Sequence, residues 1–194
     1  MGAEYLSILI TGEQAAQIAQ ELYGLRGTIA PLPGELDFNF RIITDSGSFV
    51  LKVSRPESDI EQIEFQQELL NHVKNNSNGL ESPAVIPDLR GNQLSEITDD
   101  SGHTRKVRLL SWIEGRLWSS VNPISNRLLF SLGAVAGSLT KVLQGFDHPK
   151  ARRYFEWDVA QAGWTCNYLH MFSEEQQSIV TYFQKQYNSF QDKY

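Results

Sequence analysis

Cysteine is almost absent: Cys166 is the single one in 194 residues. That excludes an internal disulfide and a cysteine-ligated metal centre. It favours a reducing, cytoplasmic setting, and Cys166 itself reads as a small buried residue rather than a nucleophile. Positive charge is also scarce, with 17 Lys and Arg against 23 Asp and Glu and a net charge of −6. Such a chain has no basic stripe of the kind that binds nucleic acid through counterion release. Long apolar runs are missing too. The longest, Leu128–Leu139, is broken by Ser131, Gly133, Gly137 and Ser138 and is too short to span a bilayer. The N-terminus has no basic flank and only a short apolar run, which argues against a signal peptide. What remains is 41% hydrophobic and 21% charged residues, enough to bury a core in one domain or slightly more.

Periodicity and turn chemistry order the chain. Thr11 and Gln14 have capping-box spacing ahead of a helix over Gly12–Tyr23, with Gly24 as its stop. Short extended segments follow at Gly27–Leu32, Phe38–Thr44 and Ser48–Ser54, the last two joined by Asp45-Ser46-Gly47 as a hairpin. Ser58 with Glu61 opens a second helix that runs to about Asn75. Strands over Gln93–Thr98 and Thr104–Ser111, joined at Asp99–Gly102, form another hairpin. From Ser125 the pattern turns helical. Leu128, Leu129, Leu132, Val135, Ala136 and Leu139 form an apolar stripe, and a final helix capped by Ser173 turns Ile179, Val180, Phe183, Tyr187 and Phe190 inward. The expected fold is α+β: a five-stranded antiparallel sheet with one packed helix, preceded by an N-terminal helix, over residues 1–114. Residues 115–194 then leave a hinge and form helices.

One residue interrupts this pattern. Lys52 sits between Leu51 and Val53, and strand residues alternate faces, so Lys52 shares a face with Val50. Taken with its hairpin alone it is an ordinary edge lysine. Its neighbours change that reading. The following helix carries Glu61, Glu64 and Glu68, of which Glu64 lies nearest the apolar stripe and can be aimed at Lys52. Upstream, the turn Leu32-Pro33-Gly34-Glu35-Leu36-Asp37 stands over the same face. Downstream, the strand runs into Ser111-Trp112-Ile113-Glu114-Gly115. A glycine loop, a strand lysine, an acidic helix and a hinge, in that order, are the parts of a nucleotide-phosphate clamp. The lysine would neutralise phosphate as a point charge.

The segments GELDFNF, FVLKVS, IEFQQELL, VRLLSWIEGRLW and FDHPKARRYFEWD resemble the N-terminal half of the aminoglycoside phosphotransferase and choline kinase-like family, which has a protein-kinase-like fold. They look most like its hydroxylysine kinase-like group, whose members also occur fused in front of class III aminotransferases. The resemblance runs from about Thr11 to Asp158. It implies ATP as nucleotide and a small hydroxyl-bearing amine or amino acid as acceptor. Lys52 and Glu64 would be the catalytic pair, with Lys52 on the α- and β-phosphates. Gly34 to Phe40, including Asp37 and Asn39, would cover the phosphates. Val50 would line the adenine pocket, and Ser111, Trp112, Ile113 and Glu114 would form the hinge.

The same resemblance demands a His-x-Asp catalytic loop and a second acid for magnesium. The four histidines, His72, His103, His148 and His170, head no such motif. No metal ligand is therefore assigned within the chain, and magnesium would be held by residues outside it. The expectation is an N-terminal portion of a phosphotransferase, incomplete for catalysis by itself. A non-catalytic binding or docking module of a larger protein, such as an aminotransferase fusion, is the alternative. Apolar surface left uncovered would favour self-association.

Overall fold

The computed structural model describes residues 8–77, 79–155 and 157–191. The described residues up to Lys150 form one compact unit and those from Ala151 onward a second.

In the first unit, helix α1 spans Gly12–Tyr23. Thr11 caps it reciprocally with Gln14, and Gly24 ends it in the left-handed region at φ 66°, where a Cβ would be strained. Six strands follow: β1 Thr28–Leu32, β2 Asp37–Thr44, β3 Gly47–Ser54, β4 Val85–Ile86, β5 Ser95–Thr98 and β6 Thr104–Ser111. They form one antiparallel sheet in the order β1-β2-β3-β6-β4, with β5 also paired to β6. The sixth strand, β4, is two residues long and too short to leave a periodic signal. Helix α2 covers Ile60–Asn76 and is capped by Asp59, one residue later than Ser58, the expected cap. Helix α3 covers Asn126–Leu143 behind Ser125. The segment that follows it meets α2 through an aromatic cluster in which Phe146 and His148 pack on Phe65, and Phe146 also on His72.

Alternation divides the sheet into two unlike faces. Phe38, Phe40, Ile42, Leu51, Val53, Val107 and Leu109 are buried against Ile10 and against Ala15, Ile18, Ala19 and Tyr23 of α1. This is the hydrophobic core, and each large side chain in it contributes roughly 1.5–3 kcal/mol by burial. One cation lies on this face. Arg105, 1% exposed, donates to Asp99 Oδ2 (2.6 Å), to the Ser54 carbonyl (3.1 Å) and to the Ile8 carbonyl (2.9 Å). It ties the β5–β6 turn to the end of β3 and to the segment ahead of α1.

The second unit holds a 3-10 segment over Val159–Met171 and helix α4 over Glu174–Gln191. Within it, Gln184 of α4 bonds Thr165 and Cys166. Two features differ from the sequence reading. Cys166 is exposed, and Ile179, Phe183 and Phe190 of α4 are exposed rather than inward. The apolar residues of α3, Leu129, Leu132, Val135 and Leu139, are exposed as well. A helix paired with one short 3-10 segment covers a single stripe, so its remaining apolar face stays in solvent.

Candidate functional site

The polar face of the sheet gathers the residues that alternation places opposite the core. β2 pairs with β3 so that Asn39 faces Lys52, and β3 pairs with β6 so that Lys52 faces Arg108. Cross-strand partners of this kind have their Cβ atoms about 5 Å apart. Lys52 Nζ donates to Asn39 Oδ1 at 2.6 Å and lies 3.1 Å from Asp37 Oδ2. The same Asp37 oxygen accepts from Arg108 Nη2 at 2.9 Å, and that nitrogen also donates to Gln66 Oε1 of α2 at 2.6 Å. The side chains of Lys52, Asp37 and Arg108 are 21%, 12% and 5% exposed. Burial holds the Lys52 ammonium below the ordinary lysine range. Asp37 opposes that shift through charge and hydrogen bonding, and Arg108 adds to it.

The loop above is shaped by close approach. A Cβ built on Gly34 would collide with the carbonyl oxygen of Asp37 and with Asn39 Nδ2. Asn39 Nδ2 in turn donates to the Pro33 carbonyl at 3.1 Å. Asn39 therefore joins the Pro33–Gly34 turn to Lys52, and only a glycine fits beneath it.

Two residues assigned from the sequence stand elsewhere. Glu64 is exposed on α2, and the carboxylate beside Lys52 is Asp37 instead. The cause is helical phase. α2 buries Ile63 and Gln67 and turns Gln66 to Arg108. Successive residues rotate by about 100°, so Glu64 points away from the sheet. Phe40 is 4% exposed and belongs to the core, because it alternates with Asn39. Val50 keeps its place on the face of Lys52, opposite Arg41 and Leu110.

At the hinge, the Ser111 and Trp112 amides donate to the Ala84 and Ser48 carbonyls. Among the described residues no such backbone bond engages Ile113 or Glu114. Arg41 covers this end of the face. Its guanidinium lies 4.0 Å from the centroid of Trp112 and its Nη2 is 3.2 Å from Glu114 Oε1. Arg41, Gln66 and Arg108 were not singled out in the sequence. Arg108 had one usable signal, since in VRLL it falls in the phase opposite to Val107 and Leu109. Among the described residues no group of three or more His, Cys, Asp or Glu is placed to hold a metal ion. No described helix is long and apolar enough to cross a membrane.

A glycine-turned loop over a half-buried strand lysine, with a helix packed against the sheet, is the arrangement of a kinase-like N-terminal lobe. The chain belongs to the phosphotransferase enzyme family (APH), whose pattern it matches over residues 28–179. It is 30% identical over 184 residues to a hydroxylysine kinase of Mus musculus, a match covering 86% of this chain and 48% of that protein. It is 29% identical over 183 residues to one of Danio rerio, covering 88% and 51%. The chain thus spans about half the length of these relatives. In fold it resembles the amicoumacin kinase hAmiN, solved with AMP-PNP, Ca2+ and Ami, with a TM-score of 0.65 at 15% identity over 98% of this chain and 56% of that one. It also resembles a microcompartment-associated aminopropanol kinase, with a TM-score of 0.57 at 19% identity over 75% and 45%.

Proposed function

We propose that this chain is the nucleotide-binding portion of an ATP-dependent phosphotransferase whose acceptor is the hydroxyl of a small amine or amino acid. The observation that carries the proposal is Lys52, a half-buried ammonium set under the Gly34 turn by Asn39, in a chain of the phosphotransferase family. In this reading Lys52 neutralises nucleotide phosphate. The Pro33–Asn39 segment closes over the phosphates, Val50 lines the adenine pocket, and Ile113 and Glu114 offer it backbone groups. ATP supplies the transferable phosphoryl group. This chain contributes positioning and charge, the larger part of catalysis in such reactions. The hydroxylysine kinases and the aminopropanol kinase among the similar proteins support an acceptor bearing both an amine and a hydroxyl. The base and the magnesium acids are assigned to residues outside 1–194, and a cytoplasmic setting completes the proposal.

One observation favours a second reading, a non-catalytic docking module: none of the four histidines heads a His-x-Asp motif. ATP consumption by the intact protein with hydroxylysine or aminopropanol, beside Lys52→Ala, separates the two. Turnover that is lost in the variant supports the enzyme. No turnover with intact nucleotide binding supports the module, and undiminished turnover in the variant removes Lys52 from the site. Self-association of the isolated chain belongs to the same proposal, since Phe130, Trp157 and Phe183 are 80%, 71% and 65% exposed and exposed apolar patches drive association.

A further inference from the structure

Lys52 and Arg108 stand side by side on adjacent strands, and both turn to one oxygen, Asp37 Oδ2. Two cations thus share one carboxylate. Among the described residues no other acid lies within ion-pair reach of either, and the remaining partners, Asn39 and Gln66, are neutral. Half-buried charge without a counter-charge is costly, so this pair is short of one anion. Arg108 also has donors to spare. Its internal bonds use Nη2 alone, and among the described residues Nε and Nη1 have no partner. Arginine's planar fork suits phosphate oxygens. Arg108 and Asp37 further border a cavity of about 350 Å³, lined also by Leu36, Arg55, Ser58 and Gln66. Of the acids that also line it, Asp59 is held by Lys150 at 2.7 Å and Glu57 is exposed.

We propose that Lys52 and Arg108 form a two-cation seat for a phosphate chain, and that the Asp37 carboxylate is its built-in competitor. The proposal rests on the nucleotide-binding reading above and adds to it a second phosphate-binding residue and a switch. The Asp37 oxygen takes the position between the cations that a phosphate oxygen would take. When phosphate enters, the carboxylate turns toward Arg55 in the neighbouring cavity. Lys52 and Arg108 then exchange one carboxylate oxygen for phosphate oxygens, with no covalent bond made or broken. Until then Asp37 keeps both side chains extended and limits the capture of stray anions.

Calorimetric titration of the full 194-residue chain with inorganic tripolyphosphate and with ATP tests this, using the wild type, Asp37→Asn and Arg108→Met. Asp37→Asn keeps the shape and removes the competing charge, so tripolyphosphate binding should tighten by about tenfold or more, the worth of one hydrogen bond to a charged group. Arg108→Met should weaken it by a similar factor. Arg108→Met leaves Asp37 paired with Lys52, so it serves even if Asp37→Asn folds poorly, which far-UV circular dichroism reports. Binding that is no tighter in Asp37→Asn, or unchanged in Arg108→Met, overturns the inference. If ATP binds the wild type and neither variant differs, the seat fails while the nucleotide reading stands. If tripolyphosphate follows the expected order but ATP binds no tighter than tripolyphosphate, the seat stands and the nucleotide reading fails. Absence of binding to all three proteins overturns both.

Discussion

At Leu51 and Lys52 the pleat sends consecutive side chains to opposite faces, one to the core and one to a polar cluster. Period-two alternation is legible in sequence, and it places Asp37, Asn39, Val50 and Lys52 together. The partner of the lysine was not legible. Glu64 looks aimed at it as the acid nearest the apolar stripe of the helix, yet the phase of α2 is set by Ile63 and by a buried glutamine, Gln67, while Ile60 is 44% exposed. Arg108 was hidden for another reason: its nearness to Lys52 depends on a non-local strand pairing. A pH effect belongs at this scale. Burial lowers the Lys52 pKa, and phosphate binding needs the ammonium. ATP affinity should therefore fall with rising pH before the ordinary lysine range is reached. Stability moves the other way. In that window the unfolded chain binds the extra proton, so the cost of burying Lys52 is relieved as pH rises. Calorimetry and urea unfolding across alkaline pH check the two opposed slopes.

Helices and hairpins were the most legible elements because their signals are local. The Thr11–Gln14 capping box, the Gly24 stop and the turns at Gly47 and Gly102 all occur in the structure. What escaped was cross-element polar bonding, of which Arg105 is the clearest case. On sequence it is one more charged residue in a strand. In the fold it is a fully buried tie between the β5–β6 turn, β3 and the Ile8 segment. Arg105→Met would leave Asp99, whose side chain is 7% exposed, and two carbonyls without their donor. The expected loss is about 3–5 kcal/mol, the usual result of breaking a buried pair from one side. Urea unfolding measures it. Adding Asp99→Asn to Arg105→Met should cost less than the sum of the single changes, whereas strict additivity would mean that the pair is not coupled.

At the scale of the whole chain, the described residues of the first unit form one sheet with unlike faces plus helices α1 to α3, those of the second form a 3-10 segment and α4, and the apolar stripes of α3 and α4 are exposed. The core face, closed by α1, accounts for folding, and the polar face gathers Lys52, Asp37 and Arg108. Fold class followed from the sequence because strand alternation and helix amphipathicity are local patterns of residue order. The exposure of α3 and α4 did not, since an apolar stripe records that a face wants cover and not what covers it. The phosphotransferase family and the half-length match to hydroxylysine kinases give the polar face its proposed role, and Lys52 is the residue on which that role turns. Titration of the chain with ATP, for wild type, Lys52→Ala and Glu64→Ala, tests it most directly. The account predicts binding by the wild type, a loss of about tenfold or more in Lys52→Ala, and no change in Glu64→Ala. Equal ATP affinity in the wild type and Lys52→Ala would contradict it.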